Sequence, residues 1–281
     1  MKVTFHVGKA GKNLNQHHNR RDEKEKEWNK DGHIDRTLTS QNKTLIDYDL
    51  HRYCEALFRK PVEAFNEKNR IKHPERLKEL QNVCKDAESK AREIIIQVGN
   101  KDAQLSQEQY EAFFREALTS FELNNPTLKV FGAYIHFDES TPHLHLDFMP
   151  LTLSDRGMSL RASLEGALKD IGYKDSGKYN DRAFIQWSLD MREHLENLAE
   201  PYIEAAGHHL EPYEVSSKSH CTEHREFYEY KLKELEKKGN QTKLKLDVLE
   251  EKLKFYGVNL ESLQQDFQRH LITEVDDDFE R

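Results

Sequence analysis

The residues best suited to chemistry fall in one run, His136-Phe-Asp-Glu-Ser-Thr-Pro-His143-Leu-His145-Leu-Asp-Phe-Met-Pro150. On a strand alternate residues share a face, which groups Phe131, Ala133, Ile135 and Phe137 on one strand and Leu144, Leu146 and Phe148 on the next. Those are the expected core faces. The opposite faces carry His136 on the first strand and His143 and His145 on the second, so pairing the strands brings three imidazoles together. Imidazole is the commonest metal ligand, and three of them leave positions open on a divalent ion, as a catalytic site requires. A His-x-His pair alone reads as a solvated strand face. Three histidines on one face, with Asp138 and Glu139 in the connecting turn, point to a metal centre. No cysteine takes part, which argues against a structural Cys/His zinc. Such a cation suits phosphodiester chemistry, because it draws charge from a non-bridging oxygen.

A nucleophile is still needed. Serine, threonine and cysteine positions show no activated pairing. The run His17-His18-Asn19-Arg20-Arg21 sets imidazoles beside guanidinium groups that can grip phosphate, although by itself it reads as a basic surface loop.

Together these runs resemble a known family. His136-x-Asp138-Glu139-x-Thr141-Pro142-His143-x-His145 is similar to the metal-binding motif of the Mob/Pre plasmid mobilisation and recombination proteins, the MobV class of relaxases. His18-Asn19-Arg20-Arg21 resembles the His-Asn-x-Arg motif of that family. Ile34-Asp35 and Asn42 match the ends of its next stretch, whose Pro-Ser-Arg-Ser core is here Arg36-Thr37-Leu38-Thr39. Basic residues expected ahead of the following strand have only Lys85, Lys90 and Arg92 as counterparts. The resemblance implies an HUH-like antiparallel sheet that nicks one DNA strand at a plasmid transfer origin. It also implies His18 as the nucleophile, forming a 5′-phosphoramidate that conserves the bond for resealing. His136, His143 and His145 would hold Mn²⁺ or Mg²⁺, and Arg21 would steady the phosphate. Glu139 would accept the proton of His18 or orient it, or serve as a fourth ligand. Arg20, Asn19 and Asn42 would contact DNA presented as a single strand or hairpin, and a conjugative coupling protein would be a partner.

Elements that position these residues can be read from periodicity. Val3, Phe5 and Val7 alternate as a short strand, while Asn13 to Thr44 is polar and reads as a disordered or functional loop. Apolar residues from Leu45 to Cys84 recur at helical intervals, broken at His73 and Pro74, and Arg92 to Gly99 reads as a buried strand ending in a turn. Ser106 with Gln109 forms a capping box, and Tyr110, Phe113, Phe114, Ala117, Leu118 and Phe121 make one apolar helix face. Leu128 to Phe137 and His143 to Met149 read as strands. Helical patterns follow over Ala162 to Ile171 and from Phe184 to Tyr202. Mixed order with few strands predicts an α+β fold, an antiparallel sheet with flanking helices. Leu246, Leu249, Leu253, Tyr256, Leu260, Leu263 and Phe267 keep heptad spacing, interrupted at Gly239 and Gly257, so a coiled-coil homodimer and a folded-back hairpin both remain open. The predicted units are a relaxase domain, 1–220, and a helical segment with an acidic tail, 221–281.

With 43 Lys and Arg against 51 Asp and Glu, the net charge is -8, which gives the chain little non-specific affinity for nucleic acid. Binding is expected to be salt-sensitive. Three cysteines, Cys54, Cys84 and Cys221, lack metal-ligand spacing and suit a reducing cytoplasm. No signal-peptide core and no run of 18 apolar residues are present, so no membrane span is expected. Two other enzymatic readings share the metal chemistry. A rolling-circle replication initiator would use tyrosine, with Tyr228 and Lys231 or Tyr230 and Lys233 at its spacing, and a metal-dependent phosphoesterase would transfer to water. A non-enzymatic scaffold would use only the C-terminal helices.

Overall fold

A computed structural model describes residues 1–11, 14–22, 34–174 and 182–211, all within one unit, Met1–Glu214. In chain order the elements are β1 (Val3–Val7), α1 (Gln16–Arg20), β2 (Lys43–Asp47), α2 (Leu50–Asn69), α3 (Leu80–Glu88), β3 (Arg92–Val98), α4 (Gln107–Asn124), β4 (Leu128–His136), β5 (His143–Leu153), β6 (Leu160–Ala162), α5 (Leu164–Asp170) and α6 (Ala183–Ala205). The strands form one antiparallel sheet in the order β1-β3-β5-β4-β2, with β6 on the end of β5. The fold is the expected α+β one.

Alternation decides which face each residue serves. Phe5, Ile94, Ile96, Ala133, Ile135, Leu144, Leu146 and Phe148 point to one face, where they pack with α4, α5 and α6 residues such as Phe113, Phe121, Leu168, Trp187 and Leu195. Helix α4 starts as its sequence predicts, with reciprocal bonds between Ser106 and Gln109, and its aromatic stripe is core. On the opposite face, Met149 and Leu151 of β5 join Cys54, Phe58, Val62, Cys84 and Ala87 of α2 and α3. Burial pushes the Cys54 thiol up to about 12, which leaves it an inert packing residue.

Three sequence expectations need correction. Phe131 does not share a face with Ala133, Ile135 and Phe137 but packs with α2 and α3. The cause is a bulge between Val130 and Gly132, which reverses the strand's alternation. Leu45 belongs to strand β2 rather than to the helical pair, because the open edge of β4 takes it up. The polar stretch Asn13 to Thr44 is not uniformly loop, since it contains α1 and the start of β2. The heptad segment and the Tyr228 and Tyr230 spacings lie outside the described residues.

Candidate active site

The β4 bulge also builds the site. Downstream of it, Tyr134 and His136 share a face with His145 and His143, their register partners. Ring centroids lie 5.4 Å apart for His136 and His143, 4.5 Å for His136 and His145, and 4.7 Å for His143 and His145. All three residues are buried. Each ring binds an oxygen through one nitrogen. His136 Nε2 donates to the Asn19 carbonyl at 2.9 Å, His143 Nδ1 to the Thr141 carbonyl at 2.9 Å, and His145 Nδ1 to Glu93 Oε1 at 2.8 Å.

Those outer bonds set the tautomers. They leave His136 Nδ1, His143 Nε2 and His145 Nε2 as lone pairs facing inward. His143 Nε2 and His145 Nε2 are 2.9 Å apart. Two lone pairs at that separation repel unless a cation lies between them, and nitrogens each roughly 2.1 Å from one ion are spaced about that far. Burial first, then the mutual repulsion that protonating such close imidazoles would bring and the nearby Arg21, pushes the pKa of His136 and His145 well below the ordinary value, so both are neutral and able to ligate. The donor set therefore fits a divalent ion. Donor atoms within 4.8 Å of one another form two overlapping groups, His18 with His136 and His145, and His136 with Glu139 and His143.

His18 stands beside this cluster on α1, its ring centroid 5.9 Å from that of His136 and 6.0 Å from that of His145. Glu139 Oε1 is 3.8 Å from His18 Nε2, 3.8 Å from His136 Nδ1 and 3.9 Å from His143 Nε2. Burial alone would raise the Glu139 pKa, but the adjacent His143 ring and the Arg21 bond outweigh it and hold the pKa below the ordinary value. Arg21 is the only non-glycine with positive φ among the described residues, at 54°, where it closes α1. Its guanidinium is buried, donating to Asp138 at 2.7 and 3.0 Å and to Glu139 at 2.7 Å, with Nη1 3.0 Å from His18 Nε2 and Nη2 3.1 Å from His136 Nδ1. Burial would raise the Asp138 pKa as well, and Arg21 more than offsets it.

The residues expected to contact DNA are placed differently. Arg20 leaves the cluster and pairs with Asp47 at 2.6 Å, which Tyr134 also binds at 2.7 Å. Asn19 is 4% exposed, and its amide donates inward to Glu93 at 2.9 Å and toward Asp147 at 3.3 and 3.4 Å. Asn42 Oδ1 accepts the Phe137 amide at 2.7 Å, anchoring the end of β4. The buried Asn19 amide is spent on protein carboxyls and serves as a structural contact, whereas Asn42 commits only its oxygen to the backbone.

Sequence reasoning missed two buried carboxyls, Glu93 and Asp147, which are register partners beneath the histidines. Their signal was present. Asp147 continues the His143 and His145 alternation, and Glu93 directly precedes the apolar run Ile94-Ile95-Ile96 of β3. Thr39, the last residue of the diverged Arg36-Thr37-Leu38-Thr39 core, also donates to Asp138 at 3.0 Å.

A family profile described as plasmid recombination enzyme, Mob_Pre, matches residues 6–163. No curated protein matches the chain. Solved structures that resemble it include the MobM relaxase domain bound to 22-nucleotide plasmid pMV158 oriT DNA, a manganese-bound crystal structure at pH 5.5, with 23% identity over 82% of this chain and 100% of that one, TM-score 0.43. A second, with 22-nucleotide DNA bearing a 3′ thiophosphate and manganese at pH 6.8, has 19% identity over 82% and 99%, TM-score 0.42. A third, bound to 26-nucleotide oriT DNA, has 21% identity over 81% and 99%, TM-score 0.38.

Proposed function

This chain belongs to the Mob_Pre family of plasmid recombination enzymes, and from that premise we propose that it is a metal-dependent, strand-specific DNA relaxase that nicks a plasmid transfer origin through His18. The observation that carries the reading is the 2.9 Å approach of His143 Nε2 to His145 Nε2, with a third histidine and His18 beside them. His136, His143 and His145 hold the ion, Mn²⁺ or Mg²⁺. Bound there, it supplies Lewis-acid charge to a non-bridging oxygen of the scissile phosphate.

The chain's own groups do the rest. Arg21 Nη1 donates to His18 Nε2 in the free site, so that nitrogen carries a lone pair, and once Arg21 turns to the phosphate Glu139 accepts any proton that would occupy it and keeps the lone pair available for attack on phosphorus. A P–N bond forms as the P–O3′ bond breaks, and the 3′ oxygen leaves with the bonding electrons and takes up a proton. The 5′ phosphate stays on His18 as a phosphoramidate, available for resealing. Arg21, held rigid by Asp138 and Glu139, presents Nη1 to the incoming phosphate, and its transfer from His18 to phosphate uncovers the nucleophile. The catalytic unit is taken as residues 1–220, residues 221–281 with their heptad spacing as the means of pairing with a second copy, and a conjugative coupling protein as a further partner.

The test is incubation with supercoiled plasmid carrying the cognate transfer origin, with Mn²⁺ or with chelator. Relaxed product in Mn²⁺ only, and none with His18→Ala, supports the reading. Nicking that persists in chelator contradicts it.

A further inference from the structure

Helix α1 spans only Gln16–Arg20, and a single turn has almost no stability of its own. Contacts with the rest of the chain must therefore fix the position of His18. Arg21 holds the end of this turn on Asp138 and Glu139. Its middle is held by Asn19, whose two polar ends reach two of the cluster histidines. The Asn19 carbonyl accepts His136 Nε2 at 2.9 Å. Its side-chain amide donates at 2.9 Å to Glu93 Oε1, the same oxygen that His145 Nδ1 binds at 2.8 Å. Asp147 faces the second hydrogen of that amide at 3.3 and 3.4 Å.

We infer that Asn19 is a positioning residue, which locks the His18 turn to the histidine cluster through the buried carboxyls of Glu93 and Asp147. The inference rests on the reading of His18 as nucleophile. Two features of the site agree with a purpose-built clamp. Asn19, Glu93 and Asp147 are 4%, 7% and 0% exposed, so the amide bridges two carboxyls out of reach of water. Gly132 makes the space, since a Cβ there would lie 2.8 Å from Asp147 Oδ2.

The clamp acts on His18 without supplying a metal ligand. Losing it should slow the reaction while leaving affinity for the ion, because misplacement of a nucleophile by about 1 Å can cost on the order of a hundredfold. The experiment compares wild type, Asn19→Ala, Asn19→Asp, and the double variant Asn19→Asp with Asp147→Asn. The double variant moves the single amide from position 19 to position 147 and keeps one amide between two carboxyls. Three quantities are read: amide hydrogen exchange in residues 15–22, Mn²⁺ affinity by electron paramagnetic resonance, and the single-turnover rate of DNA adduct formation.

Asn19→Ala is expected to exchange about tenfold faster in this segment and to form adduct about tenfold more slowly or worse, with Mn²⁺ affinity within about threefold of wild type. Asn19→Asp should lose more, and the double variant should recover most of the loss. Exchange and adduct rates within about twofold of wild type in Asn19→Ala overturn the clamp, and so does a double variant no better than Asn19→Asp, which still decides the matter if Asn19→Ala does not fold. A wild type that binds Mn²⁺ yet forms no adduct defeats the functional reading instead, and the exchange rates still decide the clamp.

Discussion

Histidine occupies three settings here, and what each ring touches separates them. His136, His143 and His145 have one nitrogen bound to a fixed oxygen and the other turned inward, whereas His17 lies exposed near Asp22. His18→Ala should abolish the covalent adduct, by roughly a thousandfold or more, yet leave Mn²⁺ affinity within about threefold. Glu139→Gln should slow adduct formation by about a hundredfold, since proton transfer by a placed carboxylate contributes on that order; an unchanged rate would remove Glu139 from the mechanism. The imidazoles also predict a pH effect on stability. Because the folded pKa of His136 and His145 lies below that of the unfolded chain, near 6.5, protons bind the unfolded chain first as pH falls. In chelator the melting temperature should therefore drop as pH is lowered below about 6.5. His145→Gln should flatten that dependence. The histidine motif and the His18 motif were legible because their residue types are rare at such spacing. Glu93 and Asp147 were not singled out, because the partner of a buried carboxyl lies on another strand and sequence alone does not supply the register.

At the scale of elements, the β4 bulge is the device on which the site depends. It lets one strand place Phe131 against α2 and α3 and still deliver His136 to the same face as His143 and His145. Period-two reading assigned the histidines correctly because they lie downstream of the bulge, and misassigned Phe131 because an inserted residue leaves no mark in the pattern. Gly132, within the bulge, has no room for a side chain, with Tyr134 2.9 Å and Asp147 2.8 Å from a Cβ built there. Gly132→Ala should destabilise the protein by about 1–3 kcal/mol in urea titration, through overpacking, and weaken Mn²⁺ binding along with it. A neutral substitution would mean that the bulge tolerates the methyl group. Helix α4 offers the contrasting case: its start and its buried face were read correctly because the capping box and stripe are local signals. Strand β2 was missed because Lys43–Asp47 is short and becomes a strand only by pairing with β4.

Across the whole molecule, the sheet divides its labour by face. Helices α4, α5 and α6 cover one side as core, and on the other α2 and α3 leave space at one end for the imidazole cluster and α1. No helix among the described residues is long and apolar enough to cross a membrane. A chain of net charge -8 has little general attraction for DNA, so nicking should fall steeply between about 50 and 200 mM salt, as expected when a few basic contacts carry the affinity. A chain ending at residue 220 should retain Mn²⁺ affinity and adduct formation, which a gel assay would check directly; loss of both would place residues 221–281 in the active unit. The central claim is that DNA becomes joined to one imidazole. Its most direct test is to trap the cleaved complex with Mn²⁺ and transfer-origin DNA, digest both protein and DNA, and locate the attached nucleotide by mass spectrometry. The account predicts a nucleotide on the peptide carrying His18, through an acid-labile bond. Attachment to a tyrosine peptide, or a free 5′ phosphate with unmodified protein, would contradict it.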